Sequence, residues 1–496
     1  MKKNSVLIFS FAIIILFILA GIIDPPSIDA LSSVLHDFII DYFGWLYHLA
    51  AFIFLLFCVI LAFSPYGHIK LGKDDEKPQY GFFAWFSMLF AAGMGIGLVF
   101  WGVAEPLAHF AAPPAHIIPE SGEAAAFAMK YSFFHWGLQP WAIYIVISLS
   151  LAYFAYRRNL PPLISSAFYP LLGDKIYGTP GHLIDILAVL ATVFGVATSL
   201  GLGAMQISSG LQGLYNFPDG MGAILLIIAV ATILYLISSI LGIDKGILKL
   251  SILNIFLAFV LMAVVFLLGP TRAILNIFLS TLGSYAGSLL EMSLQTFPFQ
   301  DHGWVQSWTM FYWAWWIAWS PFVGLFVARI SRGRTIRQFV FGVLLAPALF
   351  NFLWFSIFGG AALHMELTQN LGLSAVAAYD YSAALFALFN HMSLGSVLSL
   401  LSIVLLIIFF VTSADSATFV LGIMTTRGNM DPPTGIKIGW GIIQSSAAAV
   451  LLFSGGLLAL QRMSITAALP LTFIMLIMCY SLLRALEAEK TPYKKN

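Results

Sequence analysis

The sequence predicts an all-α membrane protein with twelve transmembrane helices. Hydrophobic residues make up 60% of the 496 residues and charged residues only 9%, whereas about 25% of the residues in a soluble domain are charged. Apolar runs recur along the chain, and many reach the roughly 20 residues that a spanning helix needs. The net charge of +1 gives no reason to expect nucleic-acid binding. Cys58 and Cys479 lie in apolar runs, so we expect neither a disulfide nor a metal site from them.

The predicted spans begin at the N-terminus. The first apolar run could be taken for a signal peptide, but it is longer than the roughly 7–15 residues of a signal peptide's apolar core, so we interpret it as a retained helix. In order, the spans are predicted at 5–23, 44–64, 83–105, 125–155, 183–212, 221–242, 250–268, 305–330, 338–361, 394–424, 437–459 and 463–484.

The distribution of basic residues predicts the orientation. If the N-terminus lies in the cytoplasm, all but three of the 23 lysine and arginine residues fall on the cytoplasmic side, the exceptions being Lys130, Arg272 and Arg462. Cytoplasmic loops of membrane proteins carry an excess of basic residues. We therefore expect twelve spans with both termini cytoplasmic, in the inner or plasma membrane.

Two spans contain helix-breaking residues at matching places. Gly93, Gly95 and Gly97 interrupt the third span, and Pro321 and Gly324 interrupt the eighth. Each of these spans opens a group of five, so the two groups have opposite topology, and such paired interruptions point to a transporter's binding site. The predicted divisions are two N-terminal helices in 1–80, a first repeat in 81–270, an amphipathic interfacial linker helix in 271–300, a second repeat in 301–485 and a short cytoplasmic tail in 486–496.

The glycine-rich segment suits a charged ligand. Three glycines on alternate positions favour local unwinding, because each is about 1 kcal/mol worse than alanine in a helix. Backbone groups that are freed inside a membrane must line a cavity or bind a ligand. Free N–H groups suit a carboxylate and free carbonyls suit a small cation. The alternative is close packing of two helices through small residues.

Aromatic residues of the fourth and eighth spans suit a cationic ligand. Trp136, Trp141 and Tyr144 are spaced to lie roughly along one helical face, with Pro140 perturbing the turn, and Trp316 comes from the eighth span. Together they predict a box around a quaternary ammonium group, which aromatic faces attract. The alternative is an interfacial aromatic belt or ordinary core packing.

The tenth span carries polar residues in an apolar run. The hydroxyls of Thr412 and Ser413 are predicted oxygen ligands for Na⁺, although they could instead bond their own backbone. Asp415 is expected to be functional or paired, because a carboxylate inside a membrane usually is. His135 is interpreted as a packing histidine.

After the eighth span, Arg329, Arg332, Arg334 and Arg337 are predicted membrane anchors, with ion pairs to Asp185 or Asp415 as the alternative. We find no nucleotide loop, metal cluster or hydrolytic motif in the sequence, so we do not expect an enzyme.

Several segments together resemble the betaine/choline/carnitine transporter family, and most closely its glycine betaine carriers. They include AAGMGIGLVFWGVAEP, FFHWGLQPWAIY, ATVFGVATSLGLGAMQI, WTMFYWAWWIAWSPFVGLFVARISRGRTIRQF and FFVTSADSATFV, in order between about residues 80 and 430. The resemblance implies a LeuT-like 5+5 inverted repeat formed by helices 3–12, two additional N-terminal helices and a homotrimer. It also implies a substrate with a quaternary ammonium or sulfonium group.

The resemblance also implies roles for individual residues. The aromatic box corresponds to Trp136, Trp141, Tyr144 and Trp316, and Trp319 lies on the cytoplasmic side of the pathway. The glycine-rich stretch that faces the substrate carboxylate corresponds to Gly93, Met94, Gly95 and Gly97. One Na⁺ site uses backbone carbonyls and hydroxyls of Ala91, Met94, Phe409, Thr412 and Ser413.

Two departures from the family pattern refine these expectations. A second Na⁺ site would use Thr192 and Phe322, but Val196 occupies the position of a second threonine and has no oxygen to offer. Proton coupling is therefore an open alternative. Choline carriers tend to have an aspartate where this chain has Gly97, so a zwitterionic substrate is favoured.

The sequence thus predicts a secondary transporter that imports glycine betaine for osmoprotection, by Na⁺ symport and alternating access. The alternatives are a proton-coupled carrier of choline, carnitine or dimethylsulfoniopropionate, and a membrane receptor that does not transport. Expected partners are the osmolyte, the lipid bilayer and two further copies of the chain. No cofactor is expected other than the coupling ion.

Overall fold

The computed structural model describes residues 4–93, 95–241, 244–297 and 303–490, and most of these residues are helical. Among them, the one β-type pairing is an isolated bridge between Lys70 and Thr335. Eleven helices within these ranges are long and apolar enough to cross a membrane. The chain is therefore an all-helical, multi-pass membrane protein.

The first two helices form an N-terminal pair, α1 (Ser5–Ile23) and α2 (Pro25–Phe63). Between them, Asp24 caps α2 by accepting a hydrogen bond from the Ser27 backbone N–H. Helix α2 begins well before the predicted span at 44–64. Asp29, Asp37 and Asp41 lower the hydropathy of its first half without preventing helix formation.

The third span is broken, as the glycines predicted. It consists of α3 (Phe82–Gly93) and α4 (Ile96–Ala111). Gly95 lies between them with extended backbone angles, φ −170° and ψ 177°. Met94 lies outside the described residues.

The fourth span is also broken, at Gly137 and not at Pro140, which the sequence predicted only to perturb a helical turn. Helix α5 (Gly122–Trp136) ends and α6 (Leu138–Ala152) begins around Gly137, whose φ and ψ are −90° and −131°. Pro140 instead lies in the first turn of α6, where its missing N–H has no helical acceptor to lose. A Cβ atom at Gly137 would lie 2.4 Å from the Phe133 carbonyl oxygen, so only glycine fits at this break.

The middle of the chain forms the next helices: α7 (Tyr169–Leu172), α8 (Thr179–Tyr215), α9 (Met221–Leu241), α10 (Asp244–Leu268) and α11 (Thr271–Leu294). Helix α11 occupies the stretch that was predicted as an amphipathic linker. Few of its side chains are buried, and it packs against α14, α5 and α2.

The eighth span is not interrupted at Pro321 and Gly324, so that prediction is wrong. After α12 (Gly303–Val305) and a π turn at Gln306–Met310, helix α13 runs unbroken from Phe311 to Ile330. A Cβ atom at Gly324 would lie 2.4 Å from Ile147 Cγ2. This glycine therefore permits close approach of α6 rather than a break.

The remaining helices are α14 (Ile336–Gln369), α15 (Leu373–Tyr379), α16 (Ala384–Asn390), α17 (Gly395–Thr425) and α18 (Thr434–Lys490). Two glycines divide α18, since Gly455 and Gly456 have non-helical backbone angles and Gly456 has a φ of 63°. The last two predicted spans therefore correspond to the two parts of α18, with the break a few residues earlier than predicted.

The core surrounds α8 and α13. Helix α8 packs against α13, α17 and α18, and α13 also packs against α6. Gly195 of α8 lies so close to Ala318 of α13 that an added Cβ atom would be 3.0 Å from the Ala318 carbonyl carbon. The broken third and fourth spans and the tryptophan-rich α13 meet around one cavity beside this contact.

Candidate functional site

A cavity lies where α4, the α5–α6 break, α8, α13 and α14 meet. Its volume is about 30 Å³, measured as the space open to the centre of a water-sized sphere. Its walls are formed by Gly95, Gly97, Leu98, Trp136, Pro140, Trp141, Tyr144, Ser199, Trp315, Trp316, Trp319 and Asn351.

The structure brings the four predicted box residues to this one cavity. Trp136, Trp141, Tyr144 and Trp316 are each at most 5% exposed. The ring centroids of Trp136 and Trp316 are 4.8 Å apart and those of Trp141 and Tyr144 are 5.3 Å apart, both pairs nearly perpendicular. Tyr144 also lies edge-on to Trp316, at 6.2 Å. The rings of two separate spans thus share one hollow, in which their faces can surround a cation.

Several polar atoms in the cavity wall have no hydrogen-bond partner among the described residues. They are Trp141 Nε1, Tyr144 Oη, Ser199 Oγ, Trp319 Nε1 and Asn351 Oδ1. A buried polar atom without a partner costs about 1–3 kcal/mol. Four of these groups can donate, so a ligand oxygen that accepted from them would remove this penalty.

The glycine-rich segment forms part of the cavity wall beside the rings. A Cβ atom at Gly97 would lie 2.6 Å from Trp315 Cη2 and 3.2 Å from Trp136 Cη2. Glycine is therefore required for the indoles to approach the backbone. The first N–H groups of α4 lack helical acceptors, and the helix dipole makes this end positive. An anionic group is favoured here. Gly93 ends α3.

The cavity wall includes residues that the sequence did not predict as site residues. Ser199, Trp315 and Asn351 are examples. Trp315 could have been inferred from its place beside Trp316, and Asn351 from being a lone amide in an apolar run. Ser199 is one of many hydroxyl residues in apolar helices, so it could be recognised as a cavity residue only from the packing of α8 against α13.

Among the described residues, the predicted Na⁺ ligands belong to helices α3 and α17. Thr412 of α17 is buried, and its hydroxyl donates to the carbonyl of Ile408 at 2.8 Å and more weakly to that of Phe409 at 3.4 Å. Ser413 is part-buried. A hydroxyl that donates to its own helix keeps oxygen lone pairs for a cation. Ala91 lies in the last turn of α3.

The predicted second cation site is only partly polar. The buried Thr192 hydroxyl donates to the Ala188 carbonyl at 2.7 Å. Val196 is one helical turn further along α8 and is also buried. Phe322 of α13 lies edge-on to Trp319, with ring centroids 5.3 Å apart.

Asp185 does not pair with the arginines that follow α13. Its carboxylate accepts hydrogen bonds from the backbone N–H and the hydroxyl of Ser165, at 2.9 and 2.8 Å. The arginines bind neighbouring groups instead: Arg332 forms an ion pair with Glu76, and Arg334 donates to the Tyr80 carbonyl. The alternative in which Asp185 forms a gating ion pair is therefore wrong in this conformation.

Comparison with known proteins identifies the family. The profile of the betaine/carnitine/choline family transporters matches residues 5–491. The chain is 49% identical to the glycine betaine transporter OpuD of Bacillus subtilis over 494 residues, which cover 99% of this chain and 96% of the other.

It is also 46% identical to a probable glycine betaine transporter of Desulfitobacterium hafniense, over 98% of both chains. It is 44% identical to an ectoine/hydroxyectoine transporter of Virgibacillus pantothenticus, over 98% of this chain and 96% of the other. These matches confirm the resemblance seen in the sequence motifs: the chain belongs to the betaine/carnitine/choline transporter family.

Proposed function

We propose that this protein is a secondary active transporter that imports glycine betaine by Na⁺ symport. The observation that carries the proposal is the cavity itself, in which four buried aromatic rings face a broken, glycine-rich helix. Glycine betaine has a trimethylammonium group at one end and a carboxylate at the other. The rings suit the first group, and the positive end of α4 suits the second.

Of the unpartnered donors in the cavity wall, Ser199 Oγ and Trp319 Nε1 do not belong to the four box residues and are available to a carboxylate. With the ammonium group among Trp136, Trp141, Tyr144 and Trp316, the carboxylate would lie near Gly95 and Gly97 and accept hydrogen bonds from the cavity wall. Gly97 favours a zwitterion over choline, because choline has no carboxylate of its own and an acidic side chain at this position would suit it better than glycine. The names of relatives support betaine first and leave ectoine-like zwitterions as further substrates.

For ion coupling, we propose one Na⁺ bound between the broken third span and α17. Its ligands would be backbone carbonyls and hydroxyls of Ala91, Met94, Phe409, Thr412 and Ser413. Binding would tie these two elements together, complete the cavity and allow the outer pathway to close before the inner pathway opens. A second Na⁺ at Thr192 and Phe322 is disfavoured by the apolar Val196, which keeps proton coupling as the second candidate.

For architecture, we propose twelve spans in a LeuT-like arrangement. Counting α3–α4 and α5–α6 as one span each, α18 as two, and α11 as an interfacial linker gives twelve. The third to seventh and the eighth to twelfth would then be inverted repeats. Both termini would be cytoplasmic in the inner or plasma membrane, and the assembly would be a homotrimer.

Uptake of labelled glycine betaine into proteoliposomes tests this function. We expect accumulation when an inward Na⁺ gradient is imposed, and competition by unlabelled betaine that is stronger than by choline or carnitine. Accumulation driven by a pH gradient alone would favour proton coupling. A receptor would give no counterflow of labelled betaine, so the absence of counterflow would contradict transport.

A further inference from the structure

A fully buried carboxylate lies beside the box. Glu105 of α4 is 0% exposed. Its Oε2 accepts hydrogen bonds from Trp136 Nε1 at 2.8 Å and from the Tyr312 hydroxyl at 2.5 Å. Its Oε1 lies 2.7 Å from His135 Nδ1 and 3.2 Å from His109 Nε2. All four neighbours can donate, which is the environment that an ionised carboxylate requires inside a membrane.

The remaining nitrogens of the two histidines are consistent with this pattern. If His135 donates through Nδ1, its Nε2 can accept from the Thr309 hydroxyl, which lies 2.9 Å away. If His109 donates through Nε2, its Nδ1 carries no hydrogen and needs no acceptor. This atom indeed has no hydrogen-bond partner among the described residues.

Glu105 connects to both halves of the box. It binds the indole N–H of Trp136 directly. It also binds His135, whose backbone carbonyl accepts from Trp316 Nε1 at 2.9 Å. A single carboxylate on α4 therefore orients one ring on α5 and influences another on α13.

These residues also have the composition of a metal site. Glu105, His109 and His135 each place a ligand atom within 4.8 Å of the others. However, both oxygens of Glu105 and both ring nitrogens of His135 already have hydrogen-bond partners within the protein. The hydrogen bonds account for this cluster without an ion.

We propose that the charge of Glu105 strengthens the aromatic box, so that Glu105 is a positioning and affinity-determining residue for cationic substrates. A charge-assisted hydrogen bond from an indole N–H is stronger than a neutral one, and it polarises its donor. The carboxylate thus increases the electron density of the Trp136 ring, whose face attracts the cation. This inference rests on the proposed transport of a trimethylammonium substrate.

The test compares glycine betaine with 3,3-dimethylbutanoate, in which carbon replaces the quaternary nitrogen. Dissociation constants are measured for both on the purified full chain, in wild type and in Glu105→Gln, which keeps an acceptor oxygen but removes the charge. We expect the preference for betaine over the carbon isostere to fall about threefold or more in the variant, because only a cation benefits from the ring's negative face.

If Glu105 had only a structural role, Glu105→Gln would weaken the binding of both ligands by the same factor. That result would overturn this inference but not the proposed function. A wild-type protein without any preference for betaine would overturn the proposed function and this inference with it. If treatment with a metal chelator abolished betaine binding, Glu105, His109 and His135 would be metal ligands, and the inference would be overturned.

A matched control is Glu366→Gln on α14. Glu366 is also buried, and it accepts hydrogen bonds from the Leu373 backbone and the Ser374 hydroxyl, with no bond to a box residue. In Glu366→Gln, the preference for betaine over 3,3-dimethylbutanoate should equal that of wild type. A lower preference in this variant would contradict a specific role for Glu105.

If Glu105→Gln does not fold, Tyr312→Phe is measured instead. It removes the other donor to Oε2 and leaves the charge, so the preference should stay at or above the wild-type value. A lower preference would overturn the inference.

Discussion

At the scale of single residues, the cavity combines two opposite chemistries within a few ångströms. The ring faces of Trp136, Trp141, Tyr144 and Trp316 attract positive charge, while the indole N–H and hydroxyl groups at the ring edges can donate hydrogen bonds. A tryptophan offers both, because its face is electron-rich and its N–H is a donor. A zwitterion can therefore be bound with few charged side chains in the cavity wall.

Trp316 gives the sharpest test of the ring faces. We expect Trp316→Ala to raise the KM for betaine uptake about tenfold or more, since a desolvated cation–π contact contributes up to about 2 kcal/mol. Trp316→Phe should have a much smaller effect, because it keeps a ring and loses only the hydrogen bond to His135. Concentration-dependent uptake in proteoliposomes measures both, and equal, mild effects would argue against the box.

At the scale of secondary-structure elements, breaks and close approaches make the site. The α3–α4 break exposes a helix N-terminus inside the protein, and the α5–α6 break at Gly137 lies directly after Trp136. Helix α13 stays continuous, so it presents Trp315, Trp316 and Trp319 along a regular helical surface. Helix α17 packs against α4, and its Thr412 and Ser413 hydroxyls are the proposed Na⁺ ligands.

Helix α17 should determine the sodium dependence. We expect the double variant Thr412→Ala and Ser413→Ala to raise the Na⁺ concentration for half-maximal uptake several-fold, because alanine offers no oxygen to a hard cation. Betaine uptake is measured against Na⁺ at constant ionic strength. An unchanged Na⁺ dependence of uptake would show that these hydroxyls are not ligands of the coupling ion.

Helix α8 offers a complementary gain of function. Val196→Thr is nearly isosteric and adds a hydroxyl one turn from Thr192. If the apolar valine is what prevents a second ion from binding, the variant should show a steeper dependence of uptake on Na⁺, with a higher Hill coefficient than wild type. Val196→Ala is the control, since it changes volume without adding oxygen. The same steepness in both variants would contradict this explanation.

At the scale of the whole molecule, distant parts of the chain meet at the arginine-bearing end of α13. Arg157, just after α6, binds Glu489 at the end of α18, with Nε 2.7 Å from Oε2. It also binds Asp74 at 2.8 Å and the Gly72 carbonyl at 3.0 Å. Hydrogen bonding to this guanidinium lowers the pKa of Asp74 below its ordinary value.

The two ion pairs of Arg157 should differ in strength. Glu489→Gln is expected to lower the free energy of unfolding by about 1–3 kcal/mol, because the pair is largely shielded from water and charge-assisted. Asp74→Asn is the matched control and should change stability by less than about 1 kcal/mol, because Asp74 is mostly exposed. Thermal unfolding in detergent measures both, and a larger loss for Asp74→Asn would contradict this ranking.

Much of the architecture could be predicted because hydropathy reports directly on membrane-spanning helices. The sequence is less informative where polar or helix-breaking residues occur within a spanning helix. Asp29, Asp37 and Asp41 concealed the first half of α2, and Pro321 suggested a break although it lies within the continuous helix α13. Gly137 gave little signal by itself, because one glycine among many marks a break only when its neighbours crowd it.

The site shows the same division. The aromatic residues could be predicted because their number and spacing are unusual, and because the motifs resemble a known family. Ser199, Asn351 and Glu105 could not be predicted from spacing alone. Their positions beside the cavity or its rings depend on which helices are neighbours, and only the packing of α4, α8 and α14 against the tryptophans specifies that.

The crowding of indoles has a practical consequence. Trp315 and Trp316 are nearly parallel at 4.6 Å, and Trp136 stands almost perpendicular to Trp316 at 4.8 Å. Chromophores this close couple their electronic transitions, so near-ultraviolet circular dichroism should respond to any change in their mutual angle. The unlabelled protein therefore carries an intrinsic optical signal with which occupancy of the cavity can be followed.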